Sequence, residues 1–489
     1  MPPMDPTTLL RDSRALAGLA VPLVLTQLAQ VALTTTDTVM MGLLSTRDLA
    51  AGGLALVIFN QLRTMGVGLV TSVGNRIAAA AARAETANGD AAHSDAEVRR
   101  IVRASMAVAT LAGLAGAVLM LLAGQALTLL GQEAAVADRV RTLLPALAPG
   151  LLPCLWFQAV RQFTVGMRRP QALLQITLAS VVVNAGLDWA LIHGTWGLPK
   201  LGLTGIGVAT SAVYLLSFVA LYASARKDPA LAPLLSLNVF AADRTTVREL
   251  VRLGVPIAAT YGSEAGFFSV TALMAGSFGS AALAAHTAVN QLVYVVFQVA
   301  VGLSHAASIN VSRELALGRV HAALRIKNTA LACAAAVMAA VAAVYVTLPG
   351  LVLRPFLDGG GAGDDRAVAI ATRLLLVVAV LQFFDCAQNI GVGLLRGLDD
   401  TRSGFRITLV GYWAVGLPAA WLFGYEAGLD TLGIWLGLLT GLATTAILLL
   451  RRYGSGLRAR AREQEAVVTA YPGPPAGRPL RRPSGADQG

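Results

Sequence analysis

Residues 16–42 read LAGLAVPLVLTQLAQVALTTTDTVMMG, an apolar run that contains a single charged residue, Asp37. A helix of roughly 20 mostly apolar residues is long enough to cross the hydrocarbon core of a bilayer. Further runs of this kind follow along the chain, whose 489 residues are 56% hydrophobic and only 13% charged. A water-soluble protein cannot bury so much apolar mass. The sequence therefore predicts an all-α polytopic membrane protein.

Twelve transmembrane helices can be marked off by the length and hydropathy of the apolar runs. They are predicted near residues 15–41, 48–76, 104–128, 143–167, 172–193, 203–225, 250–276, 281–311, 328–353, 369–395, 405–425 and 432–450. When Arg252, Arg373 and Arg406, which lie near helix ends, are counted with the adjacent loops, 28 of the 38 Lys and Arg residues fall on the side of the two termini and seven on the opposite side. Since loops rich in basic residues are usually cytoplasmic, we expect both termini in the cytoplasm. We expect the protein itself in the cytoplasmic (inner) membrane. The net charge of +11 then reflects topology, and no nucleic-acid partner is expected.

The two halves of the chain match at a shift of 234 residues. The shift moves Pro22 onto Pro256, Met40 onto Met274 and Gly68 onto Gly302. Because each half has six predicted helices, both copies keep the same orientation in the membrane. Two such lobes around a central cavity are typical of transporters.

The predicted organisation follows from these copies and from two polar intervals. It comprises a cytoplasmic N-terminal segment (1–14), an N-lobe (15–225), a cytoplasmic connector (226–248), a C-lobe (249–453) and a disordered, basic cytoplasmic tail (454–489).

Four carboxylates, Asp37, Asp188, Glu264 and Asp385, lie well inside predicted helices. A carboxylate that faces lipid is costly, so such groups usually face a cavity or a partner and mark an ion or proton pathway. Asn184 precedes Asp188 by four residues, which places both side chains on one helix face. An amide beside a carboxylate suits a proton-sharing network or a small hard cation, because both offer oxygen ligands.

The repeat adds an asymmetry to these acids. At the 234 shift Glu264 meets Gln30 and Asp37 meets Thr271. A 227 shift, which aligns residues 165–166 with 392–393, places Asp385 opposite Gln158. Each lobe therefore has acids where the other lobe is neutral, as expected of a carrier whose duplicated halves have different tasks.

Other polar and aromatic residues support narrower predictions. Aromatic rings of the C-lobe suit drugs by stacking and cation–π contact, so the predicted substrate-cavity residues are Gln30, Tyr261, Phe267, Phe268 and Tyr294. Arg161 is expected to extend to the cytoplasmic surface. His286 and His305 are interpreted as packing residues in preference to a proton relay.

Several of these segments resemble the multidrug and toxic compound extrusion (MATE) transporters over about residues 15–450. The segments are Asp-Thr-Val-Met-Met-Gly (37–42), Asp-Leu-Ala-Ala (48–51), Val-Pro-Ile (255–257) with Glu264, Ala-Ala-His (284–286), and Asp385 with Gly-Leu-Leu-Arg-Gly-Leu-Asp-Asp-Thr (393–401). The likeness is greatest to the NorM-type branch, with some DinF-type features. It implies a monomeric antiporter that exports organic cations or drugs in exchange for protons or sodium ions.

The resemblance also implies roles for particular positions. Glu264 and Asp385 match the family's C-lobe cation site, which would hold sodium. Asp37, Asn184 and Asp188 match the N-lobe proton or sodium network, and Thr210 matches its hydroxyl ligand. The motif formed by Asn184 and Asp188 contains an acid where NorM-type members commonly have an amide. Which of the two lobes carries the coupling site is therefore undecided.

Two other classes of protein are weighed against this prediction. A flippase for a lipid-linked precursor belongs to the same wider superfamily but would favour a cationic cavity, whereas the buried polar groups expected here are mainly acids. An enzyme would need a nucleophile, a metal cluster or a nucleotide-binding motif, and no P-loop or zinc-binding motif is found in the sequence. The sequence therefore predicts no catalytic residues and no cofactor apart from the coupling ion.

Overall fold

The computed structural model describes residues 6–86, 91–127, 134–357 and 362–470, and these are almost entirely helical. The N-terminal half contains α1 (Pro6–Leu44), α2 (Thr46–Thr86), α3 (Ala91–Ala126), α4 (Ala134–Gly166), α5 (Gln171–His193) and α6 (Leu203–Lys227). The C-terminal half contains α7 (Arg244–Gly276), α8 (Ser280–Ala316), α9 (Val320–Thr347), α10 (Pro349–Leu357), α11 (Ala362–Gly397), α12 (Thr401–Leu409), α13 (Leu417–Trp421) and α14 (Asp430–Ala470). A single 3-10 turn, Val239–Ala241, interrupts the connector.

Twelve segments are arranged to cross a membrane, which confirms the predicted fold class. They are α1 to α9, α11, α12 together with α13, and α14. Eleven of them are both long enough and apolar enough to span a bilayer. The twelfth, α7, has 33 residues, but polar residues that include Thr260, Tyr261 and Glu264 lower its hydropathy. The most polar span is thus one that carries a candidate functional carboxylate.

Many helices are longer than predicted, and three differences change how the chain is divided. The predicted span 328–353 is divided, because α9 ends at Thr347 and α10 begins at Pro349, whose ring nitrogen has no hydrogen to donate to the preceding turn. Helix α1 begins at Pro6, inside the predicted N-terminal segment. Helix α14 continues through residues 454–470 of the predicted disordered tail, because this stretch is rich in Ala, Arg, Glu and Gln, which are good helix formers. Residues 471–489 lie outside the described residues.

Equivalent prolines in α1 and α7 show that the halves are structural copies. Pro22 and Pro256 both lie inside their helices. The hydroxyl of Thr26 donates to the carbonyl of Pro22 at 2.7 Å, and that of Thr260 donates to the carbonyl of Pro256 at 2.8 Å. Both pairs are related by the shift of 234. Threonine side chains of this kind satisfy backbone groups near prolines in membrane helices.

The lobes meet through small residues that obey the same shift. A Cβ atom added to Gly68 of α2 would lie 2.7 Å from the Cα of Ala258 in α7. A Cβ atom added to Gly302 of α8 would lie 2.8 Å from the Cα of Val24 in α1. The residues of the two contacts correspond at the shift of 234, because Gly68 corresponds to Gly302 and Val24 to Ala258. Close approach of helix backbones at glycine therefore forms a nearly two-fold symmetric interface.

Helices α4 and α11 are equivalent, but at a different shift from the one that the sequence indicated. A Cβ atom added to Gly166 would lie 3.0 Å from the Cβ of Ile77 in α2. A Cβ atom added to Gly397 would lie 2.9 Å from the Cβ of Val311 in α8, the residue that corresponds to Ile77. The glycines correspond at a shift of 231, one helical turn away from the predicted shift of 227.

Candidate functional site

Four polar residues meet inside the N-lobe, and we call them the N-lobe cluster. They are Asp37 of α1, Asn184 and Asp188 of α5, and Thr210 of α6, each at most 2% exposed. The side-chain amide of Asn184 donates to Asp37 Oδ1 at 2.5 Å and to Asp188 Oδ2 at 2.9 Å. The hydroxyl of Thr210 donates to Asp37 Oδ2 at 3.2 Å. The structure thus brings together all four residues that were predicted for this lobe.

The bonding of this cluster suits the exchange of a proton. The two carboxylates share one amide group, and two like charges this close repel each other when both are ionised. Asn184 Oδ1 and Asp188 Oδ1 have no hydrogen-bond partner among the described residues. A proton can bind at Asp188 Oδ1, beside Asn184 Oδ1, and leave again while the hydrogen bonds to Asp37 stay the same.

A second group of polar residues, the C-lobe cluster, surrounds the other two predicted acids. Glu264 of α7 accepts a hydrogen bond from the hydroxyl of Tyr412 at 3.0 Å, and Gln388 of α11 donates to the same hydroxyl oxygen. Asp385 is 4% exposed and accepts from the side-chain amide of Asn389 at 3.2 Å. Asp385 precedes Gln388 by three residues on α11, so both side chains lie on one face of that helix. The cluster is Glu264, Asp385, Gln388, Asn389 and Tyr412.

Three members of the C-lobe cluster were not predicted. Asn389 follows Asp385 by four residues, which is the spacing of Asn184 and Asp188 in reverse order, so a search for that spacing would find it. Gln388 lies one position earlier on the same helix. The predicted counterpart of Asp385 is wrong as well. At the shift of 231 that the structure shows for α4 and α11, Asp385 corresponds to Cys154 and not to Gln158.

Tyr412 reaches Glu264 because of an irregular helix. It lies in the π-helical segment Val410–Gly416, between α12 and α13, and a second π-helical segment, Leu422–Glu426, follows α13. A Cβ atom added to Gly411 would lie 3.0 Å from the Cβ of Thr445 in α14. The close packing on α14 holds the wide turns in place, and wide turns of this kind are frequent at functional sites.

Three of the predicted cavity residues have different surroundings. Gln30 lines a narrow cleft of the N-lobe together with Arg63. Tyr261 of α7 is half-buried, and Tyr294 of α8 is 43% exposed. Their contact with a substrate stays a prediction.

The other two predicted cavity residues lie in the C-lobe. Phe267 is fully buried and stacks on the ring of Tyr412, with centroids 4.8 Å apart. Phe268 is partly buried and packs edge-on against Phe267 at 5.9 Å. Phe267 therefore supports Tyr412 from the protein core, and the structure does not bring it to an open surface.

Arg161 contradicts its predicted position. It is 2% exposed, and its guanidinium donates to Gln158 at 3.1 Å and to Gln27 at 3.0 Å. The prediction that it extends to the membrane surface is wrong, because two side-chain amides satisfy it within the N-lobe. His286 packs against the ring of Trp435 at 5.4 Å, as a packing residue would.

Ion pairs and hydrogen bonds join the two lobes near the C-terminal ends of α2 and α8. Arg313 of α8 pairs with Glu85 of α2 at 2.5 Å, and Arg76 of α2 pairs with Glu249 of α7 at 2.6 Å. Next to Arg76 in the chain, Asn75 of α2 donates to two serine hydroxyls of α8 at 2.7 and 2.9 Å. We call these contacts the ionic latch. Every one of them joins the N-lobe to the C-lobe.

Comparison with known proteins agrees with this architecture. The MatE family model matches the chain twice, at residues 22–190 and 256–422. The two matches begin 234 residues apart, the shift of the internal repeat. A curated sequence from Pseudomonas aeruginosa, named as a probable multidrug resistance protein NorM, is 36% identical over 437 residues, which cover 89% of this chain and 88% of that protein. A protein of the same name from Pseudomonas putida is 35% identical over 448 residues, 91% of this chain and 94% of that protein.

Solved structures give the same result for the fold. An outward-facing multidrug resistance transporter of the MATE family superimposes with a TM-score of 0.82 at 16% identity, covering 94% of this chain and 100% of the other. A eukaryotic MATE transporter superimposes with a TM-score of 0.79 at 19% identity, covering 93% and 99%.

Proposed function

Because the chain belongs to the MatE family of multi-pass membrane transporters and is not an enzyme, we propose that it exports organic cations or drugs by antiport with protons or sodium ions. We place it in the cytoplasmic (inner) membrane as a monomer. The distribution of basic residues supports a cytoplasmic position for both termini. Its substrates are small molecules, and it uses no cofactor apart from the coupling ion.

One observation carries this proposal: each lobe holds a separate cluster of buried carboxylates. Asp37, Asp188 and Asp385 are each at most 4% exposed, and Glu264 is held by Tyr412. Buried carboxylates without a basic partner are costly unless they take up a proton or a cation. Organic cations and coupling ions therefore compete for the same negative groups, and this competition couples their movements.

The ionic latch supports alternating access. If the termini are cytoplasmic, α2 and α8 both finish at the cytoplasmic side, and the latch closes that side. Binding of a coupling ion or of a drug would favour different lobe arrangements, and the latch must break for the cavity to open inward. Exposed ion pairs contribute only about 0.2–1 kcal/mol each, so the ligands can shift this equilibrium.

The two clusters favour different coupling ions. In the N-lobe, Asn184 and Thr210 already donate to the two oxygens of Asp37, so the oxygens that stay free are Asn184 Oδ1 and Asp188 Oδ1, and a proton can lie between them. We assign proton exchange to this cluster. In the C-lobe, Gln388 Oε1 has no hydrogen-bond partner among the described residues. Gln388 and Glu264 both bond to the hydroxyl of Tyr412, and Asp385 lies on the same face of α11 as Gln388. Hard cations prefer oxygen ligands, so we assign sodium to this cluster.

The alternative, a flippase for a lipid-linked precursor, gains one observation from the structure. Arg161 and Arg396 are buried, so the polar interior is less acidic than the sequence suggested. Among the residues that the structure describes, neither carboxylate cluster has a hydrogen bond or ion pair to a basic side chain, which favours the antiporter.

Reconstitution into proteoliposomes tests the proposal. We expect a fluorescent organic cation to be accumulated when a proton or a sodium gradient is imposed separately, and dissipation of the gradient to abolish accumulation. Accumulation that ignores both gradients would contradict antiport. Translocation of a lipid diphosphate in the same vesicles would support the flippase.

A further inference from the structure

Helix α14 has 41 residues, about twice the number that a bilayer-spanning helix needs. We call its residues 453–464 the α14 extension. One face of the extension is turned to the protein, and its members are Tyr453, Leu457, Arg460 and Gln464. Tyr453 is fully buried, and its hydroxyl donates to the carbonyl of Ala323 in α9 at 2.9 Å. Leu457 is 4% exposed. The extension is therefore held against the C-lobe.

The far end of this face bonds to two turns of the C-lobe. The guanidinium of Arg460 donates to the carbonyl of Leu398 at 2.8 Å. The side-chain amide of Gln464 donates to the carbonyl of Gly318 at 3.2 Å. Leu398 belongs to the turn between α11 and α12, and Gly318 belongs to the turn between α8 and α9. One rigid helix thus ties together two turns that are about 80 residues apart in the chain.

The turn between α11 and α12 also reaches the N-lobe. The carboxylate of Asp399 lies 3.5 Å from the guanidinium of Arg76, a residue of the ionic latch. Asp399 has a φ of +61°, in the left-handed region that residues other than glycine seldom adopt. Its neighbours on both sides are held by α14, since Leu398 accepts from Arg460 and Asp400 accepts from Arg452 at 2.8 Å. The direction of the Asp399 carboxylate therefore depends on α14.

The turn between α8 and α9 lies close to the other ion pair of the latch. Arg313 of α8 pairs with Glu85 of α2. Gly318 follows Arg313 by five residues, just after α8 ends at Ala316. Its φ of +73° is one that glycine adopts readily and other residues do not. By bonding to Gly318, Gln464 steadies the end of the helix that carries this arginine.

We propose that the α14 extension positions the C-lobe residues that contact the N-lobe at the latch, so that the C-terminal end of the chain sets the balance between the closed and the inward-open arrangements. Arg460 and Gln464 are positioning residues, because they act through Asp399 and Arg313. This inference rests on the proposed alternating access, in which the latch must break for the cavity to open inward.

A cysteine at position 309 can report the inward-open state. Ile309 of α8 is 2% exposed, and a Cβ atom added to Gly74 of α2 would lie 2.9 Å from its Cδ1. The N-lobe therefore covers this position when the latch is closed. The background lacks the three native cysteines. In inside-out vesicles, the rate at which an impermeant maleimide labels Ile309→Cys then follows the inward-open population.

We expect Arg460→Gln to raise this labelling rate about 1.5- to 5-fold, because the contact of one exposed ion pair, Arg76 with Asp399, is weakened. Arg460→Lys should stay near the wild-type rate, since a lysine can also donate to a carbonyl. The matched control is Arg458→Gln. Arg458 is exposed on the opposite face of the same helix, so its replacement should leave the rate unchanged.

Truncated chains extend the comparison. Removal of residues 456–489 should raise the labelling rate at least as much as Arg460→Gln. Removal of residues 471–489 keeps the inner face of the extension complete and should not change the rate. Thermal unfolding establishes that each variant is folded. If the shorter chain does not fold, the result for Arg460→Gln decides, because that variant keeps the full length.

A double-variant cycle tests the route through Asp399. Asparagine tolerates the left-handed conformation, so Asp399→Asn removes the charge and keeps the turn. We expect Asp399→Asn to raise the labelling rate as Arg460→Gln does, and the two changes together to raise it no further. Effects that multiply in the double variant would show that Arg460 acts elsewhere and would overturn the inference.

Glu85→Gln separates a failure of this inference from a failure of the proposed function. A wild-type labelling rate in Arg460→Gln, with a raised rate in Glu85→Gln, would overturn the positioning role and leave the latch in place. An unchanged rate in both variants would contradict the latch itself, and the inference would fall with it.

Discussion

Replacing Asp37 with asparagine tests the proposed proton coupling in the N-lobe. The amide of Asp37→Asn keeps an oxygen that can accept from Asn184, and its new NH₂ group can donate to the hydroxyl of Thr210, so we expect a loss of stability of about 1–3 kcal/mol from weaker hydrogen bonds. The variant has no proton to exchange at this position. A gradient of one pH unit supplies about 1.4 kcal/mol per proton, which is a tenfold concentration ratio of drug for one-to-one exchange. We expect that ratio to fall from about ten to about one.

The assay is accumulation of a fluorescent cation in proteoliposomes with an imposed pH difference. The matched control is Asp48→Asn, because Asp48 is an acid of the same lobe that pairs with Arg139 near the start of α2. The control should keep the tenfold ratio. If Asp37→Asn folds and still reaches the wild-type ratio, Asp37 is a structural hydrogen-bond acceptor and the assignment of protons to the N-lobe is refuted.

Four further expectations concern the other parts of the mechanism. Asp385→Asn should abolish the response to a sodium gradient and keep the response to a pH gradient, measured in the same vesicles; an unchanged sodium response would exclude a sodium site there. Glu85→Gln should increase labelling of the inward-open state by about 1.5- to 5-fold, since one exposed ion pair is lost, and no change would show that the latch does not hold the closed state. Pro22→Ala should reduce transport several-fold while expression is kept, whereas reduced expression with normal turnover per molecule would indicate a purely structural proline. A cysteine placed at Ala241 in the connector, in a background without the three native cysteines, should react with an impermeant reagent only after the cells are opened.

The N-lobe cluster could be predicted because its signals are local. Asn184 and Asp188 lie four residues apart on one helix, and Asp37 is the only charged residue of its span. An acid in an apolar helix needs a partner, but spacing does not say which one, and the resemblance to the MATE transporters is what grouped Asp37 with the two residues of α5. The hydrogen bonds of 2.5 and 2.9 Å from Asn184 join all three side chains.

The C-lobe cluster was only partly predictable, because its geometry depends on packing between distant helices. Tyr412 is turned toward Glu264 by a π-helical segment that close contact with α14 maintains. Hydropathy and spacing carry no signal for a helix turn with an extra residue. Arg161 was misplaced for a similar reason: its partner Gln27 lies 134 residues away in the chain, and an apolar span with one arginine has the same pattern whether that arginine lies inside the protein or at the membrane surface.

Symmetry of the scaffold and asymmetry of the sites have different physical origins. Packing at the interface depends on helix shape, so both copies keep the same prolines and glycines. Chemistry depends on single side chains, and the neutral counterparts of the acids have other uses. Thr271, opposite Asp37, is fully buried and donates to the carbonyl of Phe268 at 2.9 Å, so it needs no ion. Gln30, opposite Glu264, lines the cleft with Arg63. A carboxylate at position 30 would offset the charge of that arginine, so the neutral amide keeps the cleft of the N-lobe positively charged.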